Sequence, residues 1–328
     1  MRKKFTHNSL PVTTATLLLA MSAAASVQGQ GYPLKPIRVI VPFAPGGAND
    51  ITIRTLNVRL PALLGQSLII DNRPGAGGNI GAELTAKAPP DGYTLLIANN
   101  SLIMNASLYR KLPYDPFRDF VPISMAATSP NMVVAHPALP VRTIKELVAL
   151  AKSKPGEISF ASPGAGTSSH LAGALFAART GSNIQHVPYK GAGPLIVDQI
   201  GGHVMLSFTA PIVSKPHIDS GKLRALAVTS EKRWTAMPDV PSVAESGYPG
   251  FDVYVWVAFF APAGTPRPII DRVAGDVAKA LESREVKERF ASASIETSSS
   301  TPDALASFLK KDFELWDKVI KSQGIKLD

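Results

Sequence analysis

The chain of 328 residues contains no cysteine. That absence excludes disulfides, thiolate metal sites, cysteine nucleophiles and a lipid anchor on cysteine, so stability has to come from packing. No stretch reaches the roughly 18 apolar residues, free of charge and proline, that a membrane-spanning helix needs. A G-x-S-x-G elbow is missing, and Ser169 and His170 are neighbours on an expected helix, poorly placed to face each other, so a hydrolase triad has no support. The six histidines (His7, His136, His170, His186, His203, His217) include no pair at metal-ligand spacing and no acidic cluster beside them. His170 is expected to pack, not to touch a ligand. There is no repeat of fixed period, and no cofactor is expected.

The basic residues are also thinly spread. Of 34 lysines and arginines, Arg2, Lys3 and Lys4 sit at the extreme N-terminus, so the remaining chain carries 31 basic against 25 acidic residues, a net charge of +6. They are scattered and not interleaved with aromatics, unlike a nucleic-acid footprint, and suit a mild steering of anionic solutes. Arg2 to Lys4 precede a small-residue apolar run from Ala15 to Ala25. This is the pattern of a signal peptide, residues 1–29, cleaved after Ala25 or after Gly29, and it places the mature protein in the periplasm.

What remains is long enough for two cores. From Ile37 onward short apolar runs, glycine-rich loops and amphipathic stretches alternate, which predicts an α/β fold with mostly parallel sheets flanked by helices. Ile37 to Phe43 reads as a strand buried on both faces. Asn49 and Asp50 are candidate N-caps for a helix to about Leu64. Strands are expected at Leu68 to Asn72, Tyr93 to Ala98, Ile158 to Ala161, Ile184 to Val187, Val204 to Phe208, Arg224 to Thr229 and Val253 to Ala261. Val121 to His136, with Pro122, Pro130 and Pro137, reads as an extended crossing between lobes. Thr143 and Glu146 form a capping box, and Thr301 caps a last helix with Pro302 at its first position.

Three strand-to-helix turns share one chemistry: Ala44 to Asp50, Ser162 to Ser169, and Tyr189 to Pro194. Each has glycine or proline just after the strand, with hydroxyl or amide side chains expected at the helix start. Such turns lie at the carboxyl edge of an open sheet, where unpaired helix N–H groups favour an anion. Thr167, Ser168 and Ser169 are candidate donors, and Phe43 is the aromatic best placed for a pocket. Tyr189, Tyr254 and Trp256 are further cleft candidates, while Phe208 and Phe259 read as core. The segment Gly75 to Gly81 lacks the spacing and the following acid of a dinucleotide fingerprint.

Lys35-Pro36-Ile37-Arg38, Pro45-Gly46-Gly47, Asn72-Arg73-Pro74-Gly75-Ala76-Gly77-Gly78, Asp91-Gly92-Tyr93, Leu112-Pro113-Tyr114-Asp115-Pro116, His186-Val187-Pro188-Tyr189-Lys190-Gly191 and Ala261-Pro262-Ala263-Gly264-Thr265-Pro266 occur in this order. Together they resemble the substrate-binding proteins of tripartite tricarboxylate transporters, the Bug receptors, over the whole mature chain. The resemblance implies a two-lobed, type II periplasmic-binding-protein fold of the Venus flytrap kind that closes on a carboxylate and catalyses nothing. Lobe 1 is expected at 31–129 plus 254–328 and lobe 2 at 130–253. Carried over, the ligand-binding residues are Phe43, Ala44, Gly47 and Asp50 from the first loop, and Asn99, Asn100 and Ser101 from a strand end. Ser162, Gly166, Thr167 and Ser168 come from the second loop, Gly191 and Ala192 from the third, and Thr209 follows Phe208. Thr209-Ala210 replaces an aspartate-asparagine pair common in relatives, which argues against an amino-acid ligand and suits a di- or tricarboxylate or an aromatic acid. The implied partner is a two-component membrane permease. A sensor histidine kinase is the alternative, and a monomer is expected.

Overall fold

The computed structural model describes residues 31–293, 295–322 and 325–326, so the expected signal peptide lies outside the described residues. In chain order the elements are β1 (Ile37–Val41), α1 (Ala48–Leu56), α2 (Leu60–Leu64), β2 (Leu68–Asn72), α3 (Asn79–Ala86), β3 (Thr94–Asn99), α4 (Ser101–Leu108) and β4 (Phe120–Pro130). Then come β5 (Met132–Ala135), α5 (Ile144–Ser153), β6 (Ser159–Ser162), α6 (Ser168–Thr180), β7 (Gln185–Pro188), α7 (Ala192–Ile200), β8 (Leu206–Thr209), α8 (Pro211–Asp219) and β9 (Arg224–Val228). The chain ends with β10 (Tyr254–Pro262), α9 (Arg267–Glu282), α10 (Arg284–Ser292), β11 (Glu296–Thr297) and α11 (Pro302–Ser322). Among the described residues no helix is long and apolar enough to cross a membrane.

These elements build two mixed sheets with helices on both faces, ordered β11-β4-β10-β3-β1-β2 and β7-β6-β8-β5-β9. The expected parallel runs are present as β2-β1-β3 and β7-β6-β8. The strand that follows each crossing, β5 in one sheet and β10 in the other, runs antiparallel to both of its neighbours. Helix cover on both faces explains why the strands read as unbroken apolar runs. Along β10, Val255, Val257 and Phe259 enter one hydrophobic cluster while Trp256, Ala258 and Phe260 enter the other. Each cluster continues across both sheets, as Met132 and Val134 on one side of β5 and Val133 and Ala135 on the other show.

Local signals account for most helix ends. Thr143 accepts from Glu146 N–H, and Glu146 Oε2 in turn accepts from Arg142 N–H, completing the capping box one residue further out. Thr301 Oγ1 accepts from Ala304 N–H at the start of α11. Asn49 and Asp50 are not caps: α1 begins at Ala48 with Gly47 as its N-cap, and both side chains lie buried in the first turn with other partners. The helix also breaks after Leu56 and resumes at Leu60, where Pro61 enters its first turn. Pro122 is accommodated in β4 at a register shift opposite Phe260, and Pro130 is the last residue of the strand.

The chain passes from the first sheet to the second at Asn131 and returns at Val253. Thr229 ties both passages together. Its Oγ1 accepts from Asn131 N–H at 2.8 Å and lies 2.6 Å from Val253 O, while its N–H donates to Asn131 O and its own carbonyl accepts from Val253 N–H. All three residues are fully buried. Thr229→Val keeps the shape but strips Asn131 N–H of its acceptor, and is expected to destabilise the protein by about 1–3 kcal/mol, read as a lower urea midpoint with an unchanged slope.

Candidate functional site

The chain leaves β1, β3, β6, β7 and β8 beside one cleft and enters a helix after each of them, with first-turn residues of α1, α6 and α7 in the cleft wall. The first-sheet loops, 42–47 and 74–78, meet the second-sheet loops, 163–167 and 189–191, face to face. Ala44 N–H donates to Lys190 O at 3.1 Å across the cleft. A Cβ added to Gly77 would stand 2.2 Å from Ala165 O, and one added to Gly193 would stand 2.2 Å from Pro45 O. Both distances are far inside contact, so the lobes touch through bare backbone.

The loops are braced from behind. Asp50 Oδ2 accepts from Gly46 N–H at 2.9 Å and from Arg54, and Asp50 Oδ1 accepts from Asn72 Nδ2, whose other bond goes to Phe43 O. These bonds, outweighing burial, hold the Asp50 carboxyl below the ordinary carboxylate range. In the second loop Thr167 Oγ1 donates to Gly164 O at 2.7 Å and accepts from His170 N–H. Ser162 Oγ lies 2.7 Å from His186 Nε2, and His170 Nδ1 accepts from Gly166 N–H. The two imidazoles stack with centroids 4.0 Å apart. Burial pushes His170 down to about 4, and burial together with its neighbour pushes His186 down to about 3, so both are neutral under ordinary conditions.

Inside the cleft lies a small cavity of about 30 Å³, walled by Phe43, Gly47, Ala48, Asn49, Asn99, Asn131, Pro163, Thr167, Ser168, Ser169, Ala192, Thr209, Ala210, Val213 and Val255. None of these side chains is charged. Asn49 and Asn99 are hydrogen-bonded to each other, with Asn49 Nδ2 held by Ile97 O and Asn99 Oδ1 accepting from Ser101. Two polar atoms stand out against this saturation. Asn131 Nδ2 and Thr209 Oγ1 are buried and have no hydrogen-bond partner. Asn131 is oriented from the other end of its amide, where Oδ1 accepts from Ser169 Oγ at 2.8 Å. The N–H groups of Ala48, Asn49, Ser168, Ser169 and Ala192 belong to first helical turns and have no partner within their helices. A second opening of about 260 Å³ shares Phe43 and Pro163 with this cavity and is bounded by Gly75 to Gly78, Tyr109, Gly164, Tyr189 and Lys190.

Comparison with known proteins decides what this cleft belongs to. The family model for the tripartite tricarboxylate transporter family receptor matches residues 52–325. BugT of Bordetella pertussis is 41% identical over 306 residues, 93% of this chain and 94% of BugT. The chain belongs to this receptor family. Among solved structures, one from R. palustris with adipate superposes with a TM-score of 0.87 at 35% identity, covering 90% of this chain and 99% of that one. MatC from Rhodopseudomonas palustris with bound malate gives 0.83 at 29% identity, covering 88% and 100%. The protein is therefore a solute-binding receptor of the periplasmic-binding-protein type and not an enzyme, with the two-lobed α/β fold that the sequence predicts.

In this receptor the cavity wall contains Phe43, Gly47, Asn99, Thr167, Ser168, Ala192 and Thr209 from the expected set. The others stand next to it in different roles. Ala44 and Gly191 form the contact between lobes, where a Cβ on Gly191 would lie 3.0 Å from Ala44 N, and Gly166 packs on Asn105. Asp50 and Ser162 brace loops. Ser101 bonds Asn99, and Asn100 turns to the far side of β10, where its Oδ1 accepts from Trp256 N–H. Thr167 is at the wall, but its single O–H is given to Gly164 O, so it shapes the loop and is no free donor. Asn131 was not visible as a site residue because it lies between two strands with no glycine, helix start or motif around it. Phe208 and Phe259 are core, as expected.

Two outcomes follow from these contacts. Gly193 has an ordinary backbone conformation, so Gly193→Ala is compatible with the unclosed protein and is expected to leave its thermal midpoint unchanged or slightly raised. The added methyl collides with Pro45 O where the loops meet, so, under the closure mechanism proposed below, ligand affinity should fall at least tenfold, with small-angle scattering retaining a wider envelope in saturating ligand. The histidine pair gives a pH dependence. Both folded values lie below the unfolded value of about 6.5, so the unfolded chain takes up protons first and stability drops as pH falls from about 6.5 toward 4. Urea midpoints at pH 7.5, 6 and 5 should decline in that order, and His186→Gln should flatten the decline.

Proposed function

We propose that the receptor captures, in the periplasm, a small carboxylate without an ammonium group and delivers it to a two-component membrane permease. The observation that carries this reading is the pair of orphaned buried donors, Asn131 Nδ2 and Thr209 Oγ1, facing a cavity with no charged wall. A buried donor left without a partner costs about 1–3 kcal/mol, and a carboxylate oxygen removes that cost. First-turn N–H groups of α1, α6 and α7 add partial positive charge from three directions. An ammonium group finds no anion here, because the wall contains no acidic side chain. The cavity of about 30 Å³ has room for roughly two waters, which is the place of one carboxylate head, so the ligand enters with the lobes apart. Its remainder extends past Phe43 and Pro163 toward the second opening, where Lys190 suits a second carboxylate. The carboxylates of the two R. palustris structures fit this description.

The lobes of this mechanism are 31–129 with 254 onward and 130–253, hinged at Asn131, Thr229 and Val253. Ligand that touches both lobes binds the closed state more tightly and shifts the population toward it. Export by the N-terminal segment places the receptor beside its permease.

A thermal-shift screen of the purified receptor should respond to one class among dicarboxylates, tricarboxylates and aromatic acids, and not to amino acids. At a hundred times Kd the gain is about 2.7 kcal/mol. Thr209→Val, which replaces an unpaired hydroxyl by a methyl, should leave unliganded stability near wild type, whereas Asn131→Asp puts a negative charge against the head group. Calorimetric titration should show affinity reduced about tenfold or more by each. Equal affinities in both variants would remove the inner cavity from recognition, and intact uptake in a deletion strain would remove the transport role.

A further inference from the structure

A second, larger cavity of about 550 Å³ lies behind the hinge, on the other side of β10. Alternate residues of a strand face opposite ways, so while Val255 borders the inner cleft, Tyr254 and Trp256 border this one. Its remaining wall comes from β4, from Ser298 and Ser300, and from α11, which supplies Phe308, Asp312, Leu315 and Trp316. Phe308 and Leu315 are 39% and 59% exposed, so an apolar rim surrounds the mouth.

The charge of this wall is opposite to that of the rest of the molecule. It contains two carboxylates, Asp252 and Asp312, and no basic side chain, on a chain with a net positive charge. Asp312 accepts from Trp256 Nε1–H at 2.8 Å and Asp252 accepts from Glu231 N–H at 2.9 Å. Among the described residues neither forms an ion pair. Burial holds the Asp312 carboxyl above the ordinary carboxylate range, as expected of an acid without a cation. Tryptophan, tyrosine and phenylalanine rings beside unpaired carboxylates are the chemistry that recognises an organic cation, and the volume is that of a small-molecule site.

We propose that this rear cavity is a second ligand site, taking an organic ammonium ion with an apolar substituent. The cation sits between Asp252 and Asp312, and the substituent lies against Trp256, Trp316 and Phe308. Thr128, Asp252 and Tyr254 flank the two chain crossings, so an occupant touches the hinge from behind. This site is independent of the anion reading of the front cleft.

Calorimetric titration of the purified receptor with benzyltrimethylammonium chloride tests it, with benzyl alcohol as the uncharged control. Saturable one-to-one binding by the cation and none by the alcohol at the same concentration is expected. Asp312→Asn retains an acceptor for Trp256, and Asp252 is exposed at the rim, so Asp252→Asn serves if the first variant fails to fold. Each should weaken cation binding about tenfold and leave carboxylate binding at the front in place. Absence of saturable binding, equal binding of the alcohol, or unchanged affinity in the aspartate variants would overturn the proposal. So would capture of a lysine-bearing permease loop peptide by a receptor that ignores the small cation.

Discussion

Everything in this receptor depends on how closely two backbones approach across the cleft. Ala44 and Lys190 share a hydrogen bond from one lobe to the other, and Gly77 and Gly193 meet carbonyl oxygens at distances no side chain allows. Because contact is made by main chain, the loops must be held in shape from outside the cleft. That is the work of Asp50 with Asn72 on one side and of Ser162, Thr167 and the stacked histidines on the other. The charged and titratable groups of the region are thus one layer back from the cavity, and the wall itself is neutral.

A neutral wall has physical consequences for an anion. An arginine in its place would form a strong pair, but burying that pair entails desolvating two charges, and the unliganded protein would carry an uncompensated cation. Helix first turns and two oriented neutral donors need no such compensation. For the carboxylate proposed, their attraction would be spread over several weak partial charges, each aimed by backbone geometry, and would reward one orientation of the head group. The same design leaves the open cleft without a fixed charge, so the small net positive charge of the whole chain and Lys190 at the mouth are what remain for steering.

The fold was legible in the sequence because strand and helix starts carry their own chemistry. Leu68–Asn72, the capping box at Thr143 and Pro302 at the start of α11 are each set by a local signal, and each is found where it was expected. The site was legible as a set of loops but only partly as a set of contacts. Asp50 and Thr167 have the right residue types in the right turns, yet their polar atoms are consumed by Gly46, Asn72, Gly164 and His170. Sequence shows which groups stand near a loop and is silent on which of them are already satisfied. Asn131 is the converse case. Its importance arises from two partners distant in sequence, Ser169 and Thr229, that fix one side of the residue and leave Nδ2 open.

Asn131 also shows why the hinge and the site cannot be treated separately. Its backbone is one of the two crossings and its side chain is part of the cavity wall, so a ligand held by Nδ2, as proposed, would be attached to the proposed hinge itself. On the other side of β10 the pattern repeats with inverted charge. Asn99 borders the front cavity while Asn100, the next residue, bonds Trp256 and Tyr254 at the rear, and Val255 between those two faces forward again. A displacement of β10 relative to β3 is therefore felt in both cavities at once. Two ligands that each prefer one position of that strand are coupled through it, and by linkage the coupling is equal in both directions. Carboxylate in front and cation behind would then report to each other through a single strand, with no contact between them.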